Sequence, residues 1–255
     1  MKRIILPILL ALAMGVHANA QQPGETPPQP DDNAVRQISW ARLVPNILED
    51  QKRIWLFPVT AVATGRGLWP ATALLGATAG VVALDPVDTP YFRRSTSFQD
   101  FNNVFSSSDT ELATVAVPLV FYGVSLLRRD SYAQQTALLV GEAVADTEIL
   151  IGVAKVVSRR ARPNLLSPRG DYDDTWFNGK WSHSSFFSGH AGAAFAIATV
   201  FARRYRSHRW LPILAYGVAG AIAFSRVTQS AHFPSDVFVG AVLGYSVSRF
   251  AVLRP

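Results

Sequence analysis

Two cationic side chains at the end of a predicted helix could hold the oxygens of a phosphate. Lys155 and Arg162 are seven residues apart, or about two helical turns, so both emerge from one face of the helix before Pro163 ends it. Arg159 and Arg160 lie on other faces and are expected to be solvated or close to lipid headgroups. In isolation, the segment is more typical of a basic helix end that complements the helix dipole.

A second segment, Ser188-Gly189-His190, could bind the same anion through main-chain amides. Ser188 is a suitable N-cap, and the small residues that follow it let the first amides of a helix approach an anion closely. His190 would then stand at the rim of the anion site. Alone, the segment is more typical of an ordinary capped helix with an incidental histidine.

A third segment contains a candidate nucleophile. Arg226 is followed by His232, and Pro234 suits the first turn of the next helix. Asp236 lies four residues beyond His232 and is predicted to accept a hydrogen bond from one of its ring nitrogens. That bond would fix the tautomer and leave the other nitrogen able to attack phosphorus.

Taken together, the three segments predict phosphoryl transfer. Catalysis of this reaction depends mainly on positioning and on charge stabilisation around the phosphoryl oxygens, and three fixed cations would supply the charge that magnesium supplies in kinases. A zinc site is disfavoured, because the chain has no cysteine and because His183, His190 and His232 lack a companion carboxylate at close helical spacing. No metal or other cofactor is therefore expected.

The order of these motifs, K-x6-RP, then SGH, then SR-x5-H-x3-D, resembles the three-part signature of the type 2 phosphatidic acid phosphatase and vanadium haloperoxidase superfamily. The resemblance covers residues 155–236, roughly a third of the chain. It implies an all-α helical bundle. One position departs from the family pattern, because Phe187 stands where a proline usually precedes Ser-Gly-His. The turn before the helix, which leads to Ser188, is then expected to be less rigid.

The resemblance also implies a role for each motif residue. His232 would be the nucleophile that forms a phosphohistidine, Asp236 would orient it, and His190 would protonate the leaving alcohol and later help to activate water. The residues that would hold the phosphate oxygens are Lys155, Arg162, Ser188, Gly189 and Arg226.

Three functions are compatible with these residues. The leading one is a metal-independent phosphatase of the cell envelope that hydrolyses phosphate monoesters or lipid phosphates and diphosphates. The alternatives are a vanadate-dependent haloperoxidase and a non-catalytic envelope protein that binds phosphate or lipid headgroups. The substrate itself and the oligomeric state do not follow from the sequence.

The elements that must position these motifs are predicted to be helices, since long apolar segments are bounded by Gly, Pro, Ser and charged clusters. Alternation typical of strands is nearly absent, so the predicted class is all-α. Residues 164–185 lack periodicity and are expected to form a surface loop. The predicted helices are 38–50, 54–64, 68–84, 109–128, 132–158, 189–206, 210–224 and 235–252.

The first 34 residues are predicted to lie outside the folded domain. Residues 1–20 combine Lys2 and Arg3, an apolar stretch and a final Ala-Asn-Ala, which is typical of a secretory signal peptide. Residues 21–34 are rich in proline and polar residues and are expected to be a disordered leader. Residues 35–255 would then form a single helical phosphatase domain in an exported protein.

The composition of the chain favours some classes of binding partner over others. The net charge of +6 favours anionic partners such as phosphate esters and lipid headgroups, whereas the absence of basic runs interleaved with aromatic residues disfavours nucleic acid. Most apolar runs are shorter than the roughly 20 residues of a membrane span, and the helix 132–158 carries Glu142, Asp146 and Glu148. These features favour a periplasmic helical bundle that touches the membrane, although an additional span within 54–64 would reverse that preference.

Overall fold

The computed structural model describes residues 36–167, 172, 174–177, 179 and 183–254. The predicted signal peptide and leader lie outside these residues. Every regular element of the described part is helical, which confirms the all-α class. The α-helices are α1 (Trp40–Thr64), α2 (Leu68–Arg94), α3 (Gln99–Val104), α4 (Ser107–Leu127), α5 (Ser131–Ser158), α6 (Gly189–Arg204), α7 (Trp210–Thr228) and α8 (Pro234–Ser246). A 3-10 turn, Pro163–Leu165, follows α5, and a π-helical turn, Val247–Val252, follows α8.

The predicted helices differ most from the structure at two boundaries, and both lie at buried polar residues. The predicted break between 50 and 54 is absent because Asp50 and Gln51 face the interior instead of ending a helix. Asp50 accepts a hydrogen bond of 2.6 Å from Arg36, and the amide of Gln51 donates to Asp146 over 2.9 Å. Helix α2 continues to Arg94 instead of ending at residue 84, with two prolines inside it.

Helix α6 lies at the centre of the bundle and packs against α5, α7 and α8. Its buried positions are mainly alanines, with Val200 and Phe201 towards its C-terminal end. Small side chains let the surrounding helices approach closely. A shell of larger residues, which includes Val140, Leu211 and Val252, closes the core around the C-terminal half of α6.

Helices α4 to α8 run alternately up and down the bundle. Ser107 at the start of α4 contacts His190 at the start of α6, and at the opposite end Tyr132 of α5 contacts Arg204 at the end of α6. The residues of all three chemical motifs therefore lie at one end, which we call the motif end. The opposite end, which we call the basic end, carries the exposed Arg128 and Arg129 and the arginine-rich link 203–209.

Glycines on α8 set the distance between α8 and α6. A Cβ atom added at Gly244 would lie 2.1 Å from the carbonyl oxygen of Gly192, and one added at Gly240 would lie 2.5 Å from the carbonyl oxygen of Ser188. Both obstacles are main-chain atoms that cannot rotate away. This contact fixes the start of α6, and hence Ser188, against α8.

Three helices, α2, α4 and α7, are long and apolar enough to cross a membrane, judged by length and composition. The argument that the apolar runs are too short for a span is therefore wrong for these three helices, and the preference for a bundle that only touches the membrane loses its main support. The exposed faces of α2 and α4 carry large apolar side chains such as Trp69, Leu75 and Leu119. Such faces are typical of contact with lipid or another protein.

We expect Gly244→Ala to destabilise the fold, because the added methyl group collides with the main chain of α6. Overpacking of this kind costs about 1–3 kcal/mol. The matched control is Gly220→Ala on α7, where nothing lies within 4 Å of the added Cβ and where alanine favours the helix. Thermal unfolding in detergent should show a lower Tm for Gly244→Ala only. Equal Tm values for the two variants would contradict the close α6–α8 contact.

Candidate active site

His232 lies in the short link between α7 and α8, and only 3% of its surface is exposed. Pro234 begins α8 two residues later. The Nδ1 atom of His232 is 2.7 Å from the carbonyl oxygen of Ser185. Because a carbonyl can only accept, Nδ1 must carry the proton and donate. The lone pair of a neutral His232 therefore resides on Nε2, which is the nitrogen that could attack an electrophile.

Asp236 stands beside His232 but does not bond to it directly. Its Oδ2 atom is 3.8 Å from Nδ1 of His232, which is beyond hydrogen-bond distance. The same oxygen accepts from the amide of Phe233 over 2.9 Å and from the hydroxyl of Ser185. The predicted hydrogen bond from His232 to Asp236 is therefore wrong in detail, because Ser185 lies between them and contacts both.

The charge states of this pair follow from burial and from the groups around it. Burial lowers the pKa of His232, although the nearby Asp236 opposes that effect. Burial alone would raise the pKa of Asp236, but His232 and the charge of Arg160 outweigh it and hold that pKa below its ordinary value. At neutral pH, the site thus contains a neutral imidazole next to a carboxylate.

The second motif forms the start of α6 as predicted. Ser188 is fully buried and caps the helix, its hydroxyl accepting from the amide of Ala191 over 3.5 Å, and its own amide donates to the carbonyl of Asp236 over 3.0 Å. The substitution of Phe187 for the family proline therefore leaves the N-cap in place. At Gly189 an added Cβ would lie 3.1 Å from the carboxylate of Glu148, so a side chain there would crowd the start of the helix.

His190 is half-buried, and its ring also contacts a main-chain carbonyl. Its Nε2 atom donates to the carbonyl oxygen of Ser107 over 3.1 Å. Burial lowers the pKa of His190 to about 4, and the charges of Arg226 and Lys155 act in the same direction. His190 is therefore neutral at pH 7. A bound phosphate would raise its pKa again, because a nearby negative charge favours the protonated ring.

The three predicted cations lie at the motif end around these imidazoles. The charges of Lys155 and Arg162 both act on His232, and those of Arg226 and Lys155 both act on His190. Burial lowers the pKa of Lys155, and the carboxylate of Glu148 partly restores it. The sequence segments 155–163, 188–190 and 225–236 therefore converge on one region, although they are dispersed along the chain.

Arg226 bonds to the junction between α3 and α4. Its guanidinium donates to the carbonyl of Phe105 over 2.5 Å and to the hydroxyl of Ser107 over 2.8 Å. The carbonyl of Ser107 also holds His190. All of these partners are hydrogen-bond acceptors, as phosphate oxygens are, so an incoming phosphate would compete with this junction for the same donors.

Sequence reasoning missed three residues that shape the site. Arg160 was expected on a solvated or lipid-facing surface, but it is buried and donates to Asp236 over 2.7 Å. Ser185 links His232 to Asp236, and Glu148 lies beside Lys155 and Gly189. None of them belongs to a motif, and a buried arginine within a basic run has no distinguishing pattern. Arg159, by contrast, is exposed as expected.

Comparison with known proteins agrees with the motifs. Residues 136–254 match the model of the PAP2 superfamily, which confirms the predicted resemblance to that family over this part of the chain. A lipid A 1-phosphatase of Porphyromonas gingivalis is 40% identical over 67 residues, which cover 26% of this chain and 15% of that protein. A lipid A 1-phosphatase of Rhizobium etli is 33% identical over 99 residues, which cover 38% of this chain and 40% of that protein. The chain thus spans less than half the length of either relative, and no solved structure matches it.

Proposed function

We propose that the protein is a metal-independent phosphoric monoester hydrolase that acts on a lipid phosphate through a phosphohistidine at His232. The observation that carries this proposal is the donation from Nδ1 of His232 to the Ser185 carbonyl, which leaves Nε2 unprotonated inside a cluster of cations. The likeness to lipid A 1-phosphatases supports a lipid substrate.

In the first step, Nε2 of His232 attacks phosphorus in line with the leaving alcohol. A P–N bond forms, the P–O bond to the alcohol breaks, and a protonated His190 gives its proton to the departing oxygen. The Nδ1 proton of His232 stays on Nδ1, hydrogen-bonded to the Ser185 carbonyl. The positive charge that develops on the imidazole is balanced by Asp236, 3.8 Å away.

In the second step, neutral His190 takes a proton from water as the water oxygen attacks phosphorus. The P–N bond breaks, inorganic phosphate leaves, and His232 returns to its neutral state. During both steps, the negative charge on the equatorial oxygens is held by Lys155, Arg162, Arg226 and the first amides of α6. The phosphate would replace the acceptors of the α3–α4 junction on Arg226 and His190.

A lipid substrate also fits the surroundings of the site. The site lies at the end of a bundle whose helices α2, α4 and α7 are apolar enough to cross a membrane. A lipid phosphate held in one leaflet could reach the motif end directly while its acyl chains stay among apolar surfaces. We therefore propose a phosphorylated saccharide lipid of the lipid A kind as the first substrate to test.

The activity should persist without metal and depend on His232. We expect purified protein to release phosphate from a lipid phosphate, and from p-nitrophenyl phosphate, in excess EDTA. His232→Ala should lower kcat by at least about a thousandfold. His190→Ala should lower kcat by roughly a hundredfold or more on either substrate, because breakdown of the adduct needs the base. It should still release a burst of p-nitrophenol, because that leaving group needs no proton. His208→Ala, at the basic end, is the control.

Wild-type turnover by His232→Ala would show that another group is the nucleophile. Loss of activity in EDTA with recovery on adding a divalent cation would contradict the metal-independent mechanism. Binding of the lipid without any phosphate release would favour the non-catalytic alternative.

We further propose that the motif end faces away from the cytoplasm. Six arginines lie in the two links at the basic end, Arg128 and Arg129 in one and four more within 203–209. Basic links are retained on the cytoplasmic side of membranes. Because α4 to α8 alternate in direction, retention of these links would put the motif end, and the active site with it, on the other side.

The absence of cysteine from the chain allows a direct test of this orientation. We expect a membrane-impermeant maleimide to label Thr96→Cys, at the motif end, in intact cells. Ser207→Cys, at the basic end, should react only after the membrane is made permeable. Both native side chains are exposed, so access to each is not limited by the fold. The opposite labelling pattern would contradict the proposed orientation.

A further inference from the structure

The buried side chains of helix α2 are polar. Of its 27 residues, the only buried ones are Asp85 and Thr89, while most of its apolar side chains remain exposed. A carboxylate within a helix that is apolar enough to cross a membrane is costly unless it is paired. A buried Asp85 therefore needs a specific partner. Its partners are Ser235 and Arg160, which both lie in the active-site region.

Asp85 binds the first turn of α8. Its Oδ1 atom accepts from the amide of Ser235 over 3.1 Å, which is one of the amides that the helix itself leaves without a partner. Its Oδ2 atom accepts from the hydroxyl of Ser235 over 2.5 Å. Asp85 thus caps α8 from a neighbouring helix. The residue that it holds, Ser235, lies one residue before Asp236 and three residues after His232.

The same carboxylate holds Arg160, and Arg160 holds Asp236. One guanidinium nitrogen of Arg160 lies 2.6 Å from Oδ2 of Asp85, and another lies 2.7 Å from Oδ1 of Asp236. The guanidinium also lies over the rings of Phe233 and Trp176, 3.9 Å and 4.4 Å from their centroids. These contacts fix its plane, so Arg160 is a rigid bridge between two fully buried carboxylates.

We propose that Asp85 and Arg160 are positioning residues for the nucleophile, acting through Asp236 and Ser185 on His232. This inference rests on the proposed function, since it assigns the pair a role in the same site. Arg160 holds Oδ1 of Asp236, which leaves Oδ2 to accept from Ser185, and Ser185 accepts from His232. Asp85 balances the charge of Arg160. Without Asp85, the positive charge of the buried Arg160 would face Asp236 alone. Asp85 also lies outside residues 136–254, which match the family model.

The test removes the charge of Asp85 and the charge of Arg160 in separate variants and measures the pKa of His232 in each. Asp85→Asn removes a negative charge, which makes the protonated imidazole less favourable, so the pKa of His232 should fall. Arg160→Gln removes a positive charge, so that pKa should rise. We expect shifts of roughly one unit in opposite directions. Asp88→Asn is the matched control, because it removes the same charge from the same helix at a half-buried position outside this network.

Two readouts report these shifts. The acid limb of kcat/KM follows deprotonation of the nucleophile and should move to lower pH in Asp85→Asn and to higher pH in Arg160→Gln. Titration of the ¹⁵N-labelled histidine rings, with His232→Ala to assign the signal, measures the same midpoint without turnover. The other charged groups around His232, which remain unchanged in these variants, are Asp236 on α8, Lys155 and Arg162 at the end of α5, and His190 on α6. Both variants should also lower kcat about tenfold with little change in KM.

A purely structural role for Asp85 predicts a different result. It would lower the Tm and the yield of Asp85→Asn. The folded fraction of that variant would have the same kcat and the same titration midpoint of His232 as Asp88→Asn. That outcome would overturn the proposal. If the wild-type protein turns over no phosphate ester, the proposed function fails, whereas the ring titration still decides the role of Asp85.

Discussion

A hydrogen bond from the Nδ1 proton of His232 to a main-chain carbonyl is the interaction on which the rest of the site depends. The carbonyl of Ser185 is a main-chain group that can only accept. It therefore specifies the tautomer of His232 that carries its proton on Nδ1. Everything else at the motif end either holds this imidazole in place or supplies charge for the group it would attack. Burial favours the neutral form of His232, and Asp236 would stabilise the positive charge that the proposed reaction places on the imidazole.

The packing of the helices explains how dispersed segments meet around that imidazole. Gly240 and Gly244 bring α8 against α6 closely enough for Ser188 to bond to Asp236 through the main chain. The third contributor is the loop after α5, which supplies Ser185 and Arg160. These contacts are main-chain or fully buried, so the geometry is preorganised before substrate arrives, as electrostatic catalysis requires. In the proposed reaction, phosphate would replace the α3–α4 junction as the acceptor for Arg226 and His190.

The motif residues could be predicted because their chemistry follows from residue type and short spacing. Lys155 and Arg162, Ser188 and His190, and His232 and Asp236 are each recognisable within a few positions of one another. Arg160, Ser185 and Asp85 could not be found in this way, since their roles arise from contacts across 76, 51 and 150 positions of sequence. The all-α class followed from the apolar segments, but the continuity of α1 between residues 50 and 54 and the end of α2 did not, because buried polar residues and tolerated prolines resemble breaks in a helix.

The central claim is that Nε2 of His232 becomes bonded to phosphorus during turnover. It is tested most directly by mixing the protein with an aryl phosphate, quenching in alkali, where phosphohistidine survives, and mapping the added phosphoryl group by mass spectrometry. His190→Ala should accumulate the adduct, because attack on an aryl phosphate needs no acid whereas breakdown of the adduct needs the base. The account predicts one phosphoryl group on the peptide that contains His232. A phosphoryl group on any other residue, or turnover without an adduct in either protein, would contradict it.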